Sequence, residues 1–268
     1  MLEIEFGQAT HAGKVRATNQ DCTGFFMPKS RQEARSRGWL FVLADGVGGL
    51  DLGEVASARA VQVITGGFAE APEHTSLLSL LPRLIQHANA AVHDEGFARE
   101  RRGRLMASTV VACAVRHDQA YVAHVGDSRC YHIRGGEATA VTEDHTVAAE
   151  QSRQGLISSE DAADSECRSV LSRSLGPELY VTADSATVSL RAGDFLVLCC
   201  DGLYGGVDAG TMADILAQGK DPQLLAEELV NTAVENDGSD NTTAQVIAIR
   251  SVEAMAMYRG RLYPRPGA

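Results

Sequence analysis

The sequence predicts an α+β protein in which antiparallel sheets carry helices on their outer sides. Apolar and polar residues alternate in short runs along the chain, which is the pattern of strands. Several runs are joined by links of only two to four residues. Such links require antiparallel pairing, because a parallel crossover needs about a dozen residues or more. Helical periodicity occurs mainly before and after the strand-rich middle, so helices are expected to cover the sheets from outside.

Each element follows from its own periodicity. Apolar runs of strand length predict strands at Trp39–Ala44, Ala107–Val115, Ala120–Val125, Cys130–Ile133, Thr187–Leu190, Phe195–Cys200 and Ala244–Ile249. Apolar residues at helical spacing predict helices at Glu54–Phe68, Leu77–Glu95, Thr146–Gln154, Ala209–Gln218 and Pro222–Asn236. The last helix also has a start signal, since Asp221 can cap it and Pro222 suits its first turn.

Composition and charge exclude several classes of function. The 268 residues include 35 acidic and 24 basic side chains, which gives a formal net charge of −11. Nucleic acid and anionic membranes attract basic surfaces, so we expect neither as a partner. No apolar run approaches the roughly 20 residues of a membrane helix, and the N-terminus lacks the pattern of a secretory signal. We therefore expect a cytoplasmic protein.

The sequence predicts a single domain. No internal repeat or low-complexity linker divides it, so residues 1–250 are expected to form one domain and residues 251–268 a surface tail. Its six cysteines include no Cys-x-x-Cys pair, and we expect reduced, mostly buried thiols. Its eight histidines show no metal-ligand spacing, and His145, after Asp144, stands out because it starts the segment of about residues 144–184.

Aspartates cluster at the ends of predicted strands. They are Asp45, which opens Asp45-Gly-Val-Gly-Gly49, then Asp127 in Gly126-Asp-Ser-Arg129, Asp201 in Asp201-Gly-Leu203, Asp240 in Gly238-Ser-Asp-Asn-Thr242, and Asp21 near the start. Any one of them could be a simple turn residue. If the strand ends converge, however, the carboxylates would repel one another unless cations lay between them.

The residue types indicate which cations would suit such a cluster. Oxygen ligands without clustered His or Cys favour the hard ions Mg²⁺ or Mn²⁺ over zinc. Two such ions, roughly 3.5–4 Å apart, can clamp a phosphoryl group and activate a water. Gly46 and Gly202 would allow the backbone to approach an ion closely.

The ordered set of motifs resembles the PP2C-like, metal-dependent Ser/Thr protein phosphatases, and most of all their short, stand-alone bacterial members. The motifs are Arg16-x-x-Asn-Gln-Asp21, Asp45-Gly-Val-Gly-Gly49, Ala107-Ser-Thr109, Val125-Gly-Asp-Ser-Arg129, Ser172-Arg-Ser-Leu-Gly176, Cys200-Asp-Gly-Leu203 and Asp240-Asn241. The resemblance extends from Arg16 to about Ile249. It implies two antiparallel sheets packed face to face with helices outside, and a mobile flap over about residues 144–184.

The resemblance also implies roles for single residues and a mechanism. Asp45 would bridge two metal ions, and the Gly46 carbonyl would complete one of the two sites. Asp21 would act on the first ion, Asp201 and Asp240 would hold the second, and Asp127 would belong to a third site. Arg16 would bind the substrate phosphate, and Asn241 would support the neighbouring acid. A metal-bridging hydroxide would attack phosphorus in line with the leaving Ser or Thr oxygen.

Two positions depart from the family pattern. Val47 stands where animal members have a His that is thought to protonate the leaving oxygen, so the proton donor stays unassigned. Gln20 stands where many members have Glu. The resemblance further implies phosphorylated proteins as substrates and a bacterial Ser/Thr kinase as the opposing enzyme. We expect a monomer.

Three other interpretations remain open at this point. Cys167-Arg-Ser-Val-Leu-Ser-Arg173 has the Cys-x5-Arg spacing of cysteine-dependent phosphatases, but it lacks the glycines of a tight phosphate loop. The loop after Asp45 invites a dinucleotide-binding reading, yet Asp51 occupies the position of the third glycine. A catalytically inactive, phosphoprotein-binding scaffold of the same fold is the third, and such proteins usually lose a metal carboxylate.

Overall fold

The computed structural model describes residues 2–47, 52–100, 106–253, 255–258 and 261–264. The strands are β1 (Glu3–His11), β2 (Asp21–Phe26), β3 (Trp39–Asp45), β4 (Val110–Arg116), β5 (Gln119–Val125), β6 (Arg129–Arg134), β7 (Glu137–Ala140), β8 (Asp184–Ser189), β9 (Phe195–Cys199), β10 (Thr242–Ser251), β11 (Met255–Tyr258) and β12 (Arg261–Pro264). The helices are α1 (Arg31–Ser36), α2 (Gly53–Glu70), α3 (Leu77–Glu100), α4 (Val147–Arg153), α5 (Ser159–Ala163), α6 (Asp201–Gly206), α7 (Ala209–Leu216) and α8 (Pro222–Asn236).

These strands form two five-stranded sheets and a small hairpin. One sheet has the order β1-β10-β9-β6-β7, the other the order β2-β3-β4-β5-β8, and β11 pairs with β12. All of the strand pairs within the two large sheets are antiparallel. The predicted α+β class and the face-to-face arrangement of two antiparallel sheets are therefore confirmed.

The core consists of three apolar layers. The middle layer lies between the sheets, where Phe41 and Leu43 of β3 meet Leu198 and Ile247 of the other sheet. The alternate residues of β3 point the other way and pack under α2 and α3. A third layer holds α6, α7 and α8 on the outer face of the first sheet. Alternation along β3 thus buries both of its faces, which explains the nearly continuous apolar run in its sequence.

The elements that periodicity missed are mostly short or lie at sheet edges. β1, β2 and β7 are edge strands, and about half or more of their residues are partly exposed. An edge strand needs few apolar residues, because backbone pairing to one neighbour and burial of one face hold it in place. Helix α6 was also missed, since three of its six residues are glycines, which oppose helix formation on propensity alone.

Two boundaries shift in ways that affect the site. The strand predicted to end at Cys200 ends at Cys199, so Asp201 begins helix α6 instead of a loop. The strand predicted from Ala107 begins at Val110, which leaves Ala107–Thr109 as a connecting segment beside Asp45. Within the described ranges, no helix has both the length and the apolarity needed to cross a membrane.

Candidate active site

Five aspartates converge at one end of the two sheets. Asp21 opens β2 and Asp45 closes β3, and the two residues are direct partners in that ladder. Asp201 follows β9, while Asp240 precedes β10, the neighbour of β9. Asp127 follows β5 and is 5% exposed. A cavity of about 500 Å³ opens at this point. Its described lining includes Arg16, Asp45, Gly46, Asp127, Asp201 and Asp240.

The carboxylates raise one another's pKa values, with burial as the larger cause. Burial and then the charges of Asp21 and Asp201 raise the pKa of Asp45 well above its ordinary value. Burial and the charge of Asp201 raise the pKa of Asp127 to about 7. The pKa of Asp201 rises to about 6, through burial and the charge of Asp240. A cluster of this kind is stabilised by cations placed among its oxygens.

A metal-free form should therefore lose stability as the pH rises. A carboxyl whose folded pKa is raised stabilises the fold below its unfolded pKa of about 4, and loses this effect as the pH passes its folded pKa. For Asp127 and Asp201 the loss spans pH 4 to 7. In EDTA we expect unfolding to cost on the order of 2–4 kcal/mol more at pH 5 than at pH 8. Urea denaturation at both pH values measures this difference.

The control for this experiment is Asp127→Asn, which removes one of the titrating carboxyls of the cluster and should flatten the pH dependence. Addition of Mn²⁺ should also restore stability at pH 8, since bound cations compensate the ionised carboxylates. A metal-free protein that is equally stable at pH 5 and pH 8, or less stable at pH 5, would contradict the repulsion among these acids.

Residues Ser108 and Thr109 fix the backbone of Asp45. Oγ1 of Thr109 accepts a hydrogen bond from the Asp45 N–H (3.1 Å), and Oγ of Ser108 donates one to the Asp45 carbonyl (2.9 Å). The Thr109 N–H donates to the same carbonyl at 2.8 Å. These contacts explain why the Ala107-Ser-Thr motif accompanies Asp45: its hydroxyls hold the chain that carries the acid, and they do not line up as nucleophiles.

Two glycines allow the acid-bearing segments to pack closely. A Cβ on Gly46 would lie 2.3 Å from the carbonyl group of Gly53, and a Cβ on Gly202 would lie 2.1 Å from the carbonyl oxygen of Asn241. Neither contact is sterically possible, so both positions exclude every other residue type. Gly202 lies in helix α6 and packs closely against Asn241, in the segment before β10. This contact places Asp201 next to Asp240.

Arg16 extends over the cluster from the loop between β1 and β2. Its Nη2 donates to Oδ2 of Asp240 at 2.6 Å, and 41% of its side chain is exposed. The charges of Asp240, Asp201 and Asp45 all contribute to a raised pKa of Arg16, and the hydrogen bond to Asp240 contributes most. The guanidinium is thus a partly exposed cation at the mouth of an acidic cavity, a suitable donor for a phosphoryl group.

Asn241 organises this loop. Its Nδ2 donates to the carbonyls of Ala12 and Thr18, both at 3.0 Å, and its Oδ1 accepts from the N–H of Gln20 at 2.8 Å. The backbone N–H of Asn241 donates to Oδ1 of Asp240, also at 2.8 Å. Asn241 therefore contacts the neighbouring acid through its backbone, and its side chain holds the loop that carries Arg16.

Cys200 is the site residue that sequence reasoning overlooked. One ligand atom each from Asp21, Asp45 and Cys200 lies within 4.8 Å of the other two. Oδ2 of Asp21 accepts a hydrogen bond from Oγ1 of Thr243 at 2.5 Å, but Oδ1 is buried without a hydrogen-bond partner in the part of the chain that the structure describes. A buried carboxylate oxygen with no donor fits a cation ligand. The sequence signal was the position of Cys200, directly before Asp201.

The segment over residues 144–184 is fastened at both ends, by Asp144 and His145 at its start and by the pairing of Asp184 with His124 at its end. Arg129 donates to both carboxylate oxygens of Asp144, at 2.9 and 2.8 Å, and its guanidinium lies 3.6 Å from the ring centre of Tyr204. Nδ1 of His145 accepts from the Gly126 N–H at 3.1 Å, which links the segment to the residue before Asp127. Between these ends, Ser169, Val170, Leu171, Ser174 and Pro177 line the acidic cavity.

The geometry does not support the cysteine-dependent interpretation. Arg173 donates to Oδ1 of Asp184 at 2.8 Å, and the Cys167 N–H donates to Oγ of Ser165 at 3.1 Å. The segment from Cys167 to Arg173 thus forms no phosphate cradle, since its arginine is paired elsewhere. Asp51, on which the dinucleotide interpretation depends, lies outside the described residues, as do Gly48 and Gly49.

Comparisons with known proteins agree with one another. The model of the family described as protein phosphatase 2C matches residues 7–242. The serine/threonine phosphatase stp of Listeria innocua is 32% identical over 260 residues, which cover 94% of this chain and 96% of the relative. The phosphatase MsPP of Mycobacterium smegmatis, solved with cacodylate, is 32% identical, has a TM-score of 0.76, and matches over 91% of this chain and 97% of its own.

A further solved structure contains metal. It is the catalytic domain of the serine/threonine phosphatase PstP in complex with two manganese ions. It is 29% identical to this chain and has a TM-score of 0.76, with 93% of this chain and 99% of that domain covered.

Proposed function

The chain belongs to the protein phosphatase 2C family and is a serine/threonine protein phosphatase, and we propose that Asp21, Asp45, Asp127, Asp201 and Asp240 hold the divalent ions on which its hydrolysis of phosphoserine and phosphothreonine depends. PP2C-family phosphatases are metal dependent. The observation that carries this assignment is the convergence of four acids and Arg16 on one cavity, with the fifth acid, Asp21, beside Asp45. Two Mn²⁺ or Mg²⁺ ions, and a third at Asp127, suit this all-oxygen part of the site.

In this proposal each residue has a separate task. When bound, the ions supply Lewis-acid stabilisation of the phosphoryl oxygens and an activated water nucleophile. The charges of the other four acids all raise the pKa of Asp45. Asp45 therefore lies at the centre of the site, with the Gly46 carbonyl beside it. Arg16 binds the substrate phosphoryl oxygens and so orients phosphorus for in-line attack. Val47 lines the cavity and its side chain cannot donate a proton, so another group in the cavity protonates the leaving oxygen.

The inactive-scaffold alternative is not favoured. The chain retains Asp45, Asp201 and Asp240, and the relatives reported above are named as phosphatases. Phosphorylated proteins are therefore its substrates. We further propose that it opposes a bacterial Ser/Thr kinase in the cytoplasm. Its resemblance to stand-alone bacterial phosphatases supports the kinase pairing, and its six free cysteines support a reducing compartment.

Release of phosphate from a phosphothreonine peptide tests this assignment. We expect turnover with Mn²⁺ or Mg²⁺, none with EDTA, and recovery when the ion is added back, because the carboxylates alone provide no electrophile. Thiol alkylation should leave the metal requirement in place. Turnover that persists in EDTA and is abolished by alkylation would contradict the proposal.

The same assay extends to the kinase. An autophosphorylated bacterial Ser/Thr kinase domain should be dephosphorylated faster than a phosphopeptide that carries the same site. A rate no higher than that of the peptide would argue against the pairing and leave the metal assignment untouched.

A further inference from the structure

Among the described residues, the acidic cluster contains one soft donor atom, and the proposed Mg²⁺ or Mn²⁺ chemistry does not use it. Cys200 is fully buried, and its Sγ lies within 4.8 Å of ligand oxygens of both Asp21 and Asp45. Mg²⁺ and Mn²⁺ prefer oxygen, whereas Zn²⁺ and Cd²⁺ bind thiolate strongly. This inference rests on the proposed metal centre and concerns which other ions that centre accepts.

We propose that Cys200, together with Asp21 and Asp45, forms a second, sulfur-containing binding mode for soft divalent ions such as Zn²⁺ or Cd²⁺. In this mode the ion forms a bond to Sγ of Cys200, and the thiol proton is released to solvent. Two carboxylates and one thiolate leave a position open for water, a ligand number and type that zinc accepts.

One hydrogen bond of Cys200 suits a thiolate ligand, and it opposes the burial and the nearby charges of Asp21, Asp45 and Asp201 that raise the pKa of this thiol. Sγ accepts from the Thr243 N–H at 3.1 Å, and this bond persists when the sulfur is negatively charged. The thiol also lies 3.3 Å from the Asn241 carbonyl, to which it donates, and this is the proton that the ion replaces. Such N–H donors to ligand sulfur orient a metal ligand and stabilise its charge.

Asp21 offers an oxygen for a cation at this position. Its Oδ2 accepts a hydrogen bond from Thr243, while the buried Oδ1 has no hydrogen-bond partner among the described residues. An ion held between Oδ1, Sγ and Asp45 would satisfy this oxygen. Because Asp45 is also proposed to hold the catalytic ions, a soft ion in this mode would exclude Mn²⁺ and inhibit the enzyme.

Titration of the intact protein with Cd²⁺ tests the proposal, with ultraviolet absorption from sulfur-to-cadmium charge transfer as the signal. We expect the band in the parent protein and its loss in Cys200→Ser and Cys200→Ala. The affinity for Cd²⁺ should fall at least about tenfold, a loss typical even of groups that only support a ligand. Calorimetry should give the same Mn²⁺ affinity for Cys200→Ser and the parent protein.

The matched control is Cys199→Ser. Cys199 is the preceding residue and equally buried, but it packs on the opposite face of β9, against the helices. This variant should keep the band, as should Cys167→Ser in the segment over residues 144–184. A band that survives in Cys200→Ser, or its absence in a parent protein that binds Mn²⁺, would overturn the proposal. A parent protein that binds no Mn²⁺ would instead refute the metal centre itself.

Discussion

Asp45→Asn is expected to slow phosphothreonine hydrolysis about a thousandfold, the upper end of the range for loss of a single stabilising group in an active site. Asp45 is buried at the centre of the cluster, and its pKa is raised by burial and by the charges of the other four acids. The amide keeps the shape of the carboxylate but supplies no negative charge, so the site loses the central carboxylate that is proposed to hold the divalent ions.

The same substitution should stabilise the metal-free protein at pH 8. Removal of one of several mutually repelling charges relieves the folded state, whereas the unfolded chain gains nothing comparable. Mn²⁺ at a hundred times its Kd would add about 2.7 kcal/mol to the unfolding free energy of the parent protein. It should add little to that of the variant. Thermal unfolding in EDTA measures the stability of the metal-free proteins, and thermal unfolding in Mn²⁺ measures the stabilisation by the ion. The activity assay measures the loss of turnover.

The matched control for Asp45→Asn is Asp214→Asn, the same chemical change on the exposed side of α7. It should alter neither the rate nor the response to Mn²⁺. If Asp45→Asn lost activity but destabilised the metal-free protein, the residue would act in folding and not through its charge. If the variant kept its activity, the central role of Asp45 would be wrong.

The parts of this fold that sequence predicts are those with strong local periodicity. The strand Trp39–Ala44 ends within one residue of the observed β3, because both of its faces are buried and nearly every residue is apolar. The edge strands β1 and β2 were missed, since most of their residues are partly exposed and their position depends on pairing with other strands. β1 pairs with β10, more than 200 residues away in sequence.

The residues of the candidate site also differ in whether local sequence or contacts between segments determine them. The aspartates could be predicted, because each stands at the end of a strand or in a recognisable motif. The position of Cys200 and the hold of the Asn241 side chain on the Arg16 loop could not, because they depend on contacts between segments. Asn241 reaches back to Thr18, and Cys200 meets Asp21 only when the two sheets pack together. The α6 start at Asp201 was likewise hidden by the glycines that follow it.

Arg16→Ala is expected to reduce kcat/KM for a phosphothreonine peptide roughly a hundredfold, as loss of a charged donor to a transition-state oxygen does. Arg16 is partly exposed at the mouth of the cavity, and Asp240 is its ion-pair partner at 2.6 Å. Arg16→Lys should recover only part of the rate, because an ammonium cannot make the paired contacts of a guanidinium. Steady-state kinetics on both variants provide the comparison.

The affinity for Mn²⁺ distinguishes the loss of a phosphate-binding group from disruption of the whole site. In the absence of substrate the guanidinium competes with cations for Asp240, so Arg16→Ala should bind Mn²⁺ at least as tightly as the parent protein. Arg59→Ala is a suitable control, since this arginine on α2 is similarly exposed, at 41%, and pairs weakly with Glu95 at 3.9 Å. Weaker Mn²⁺ binding by Arg16→Ala would mean that the arginine builds the metal centre and does not bind phosphate. An unchanged kcat/KM would remove it from catalysis altogether.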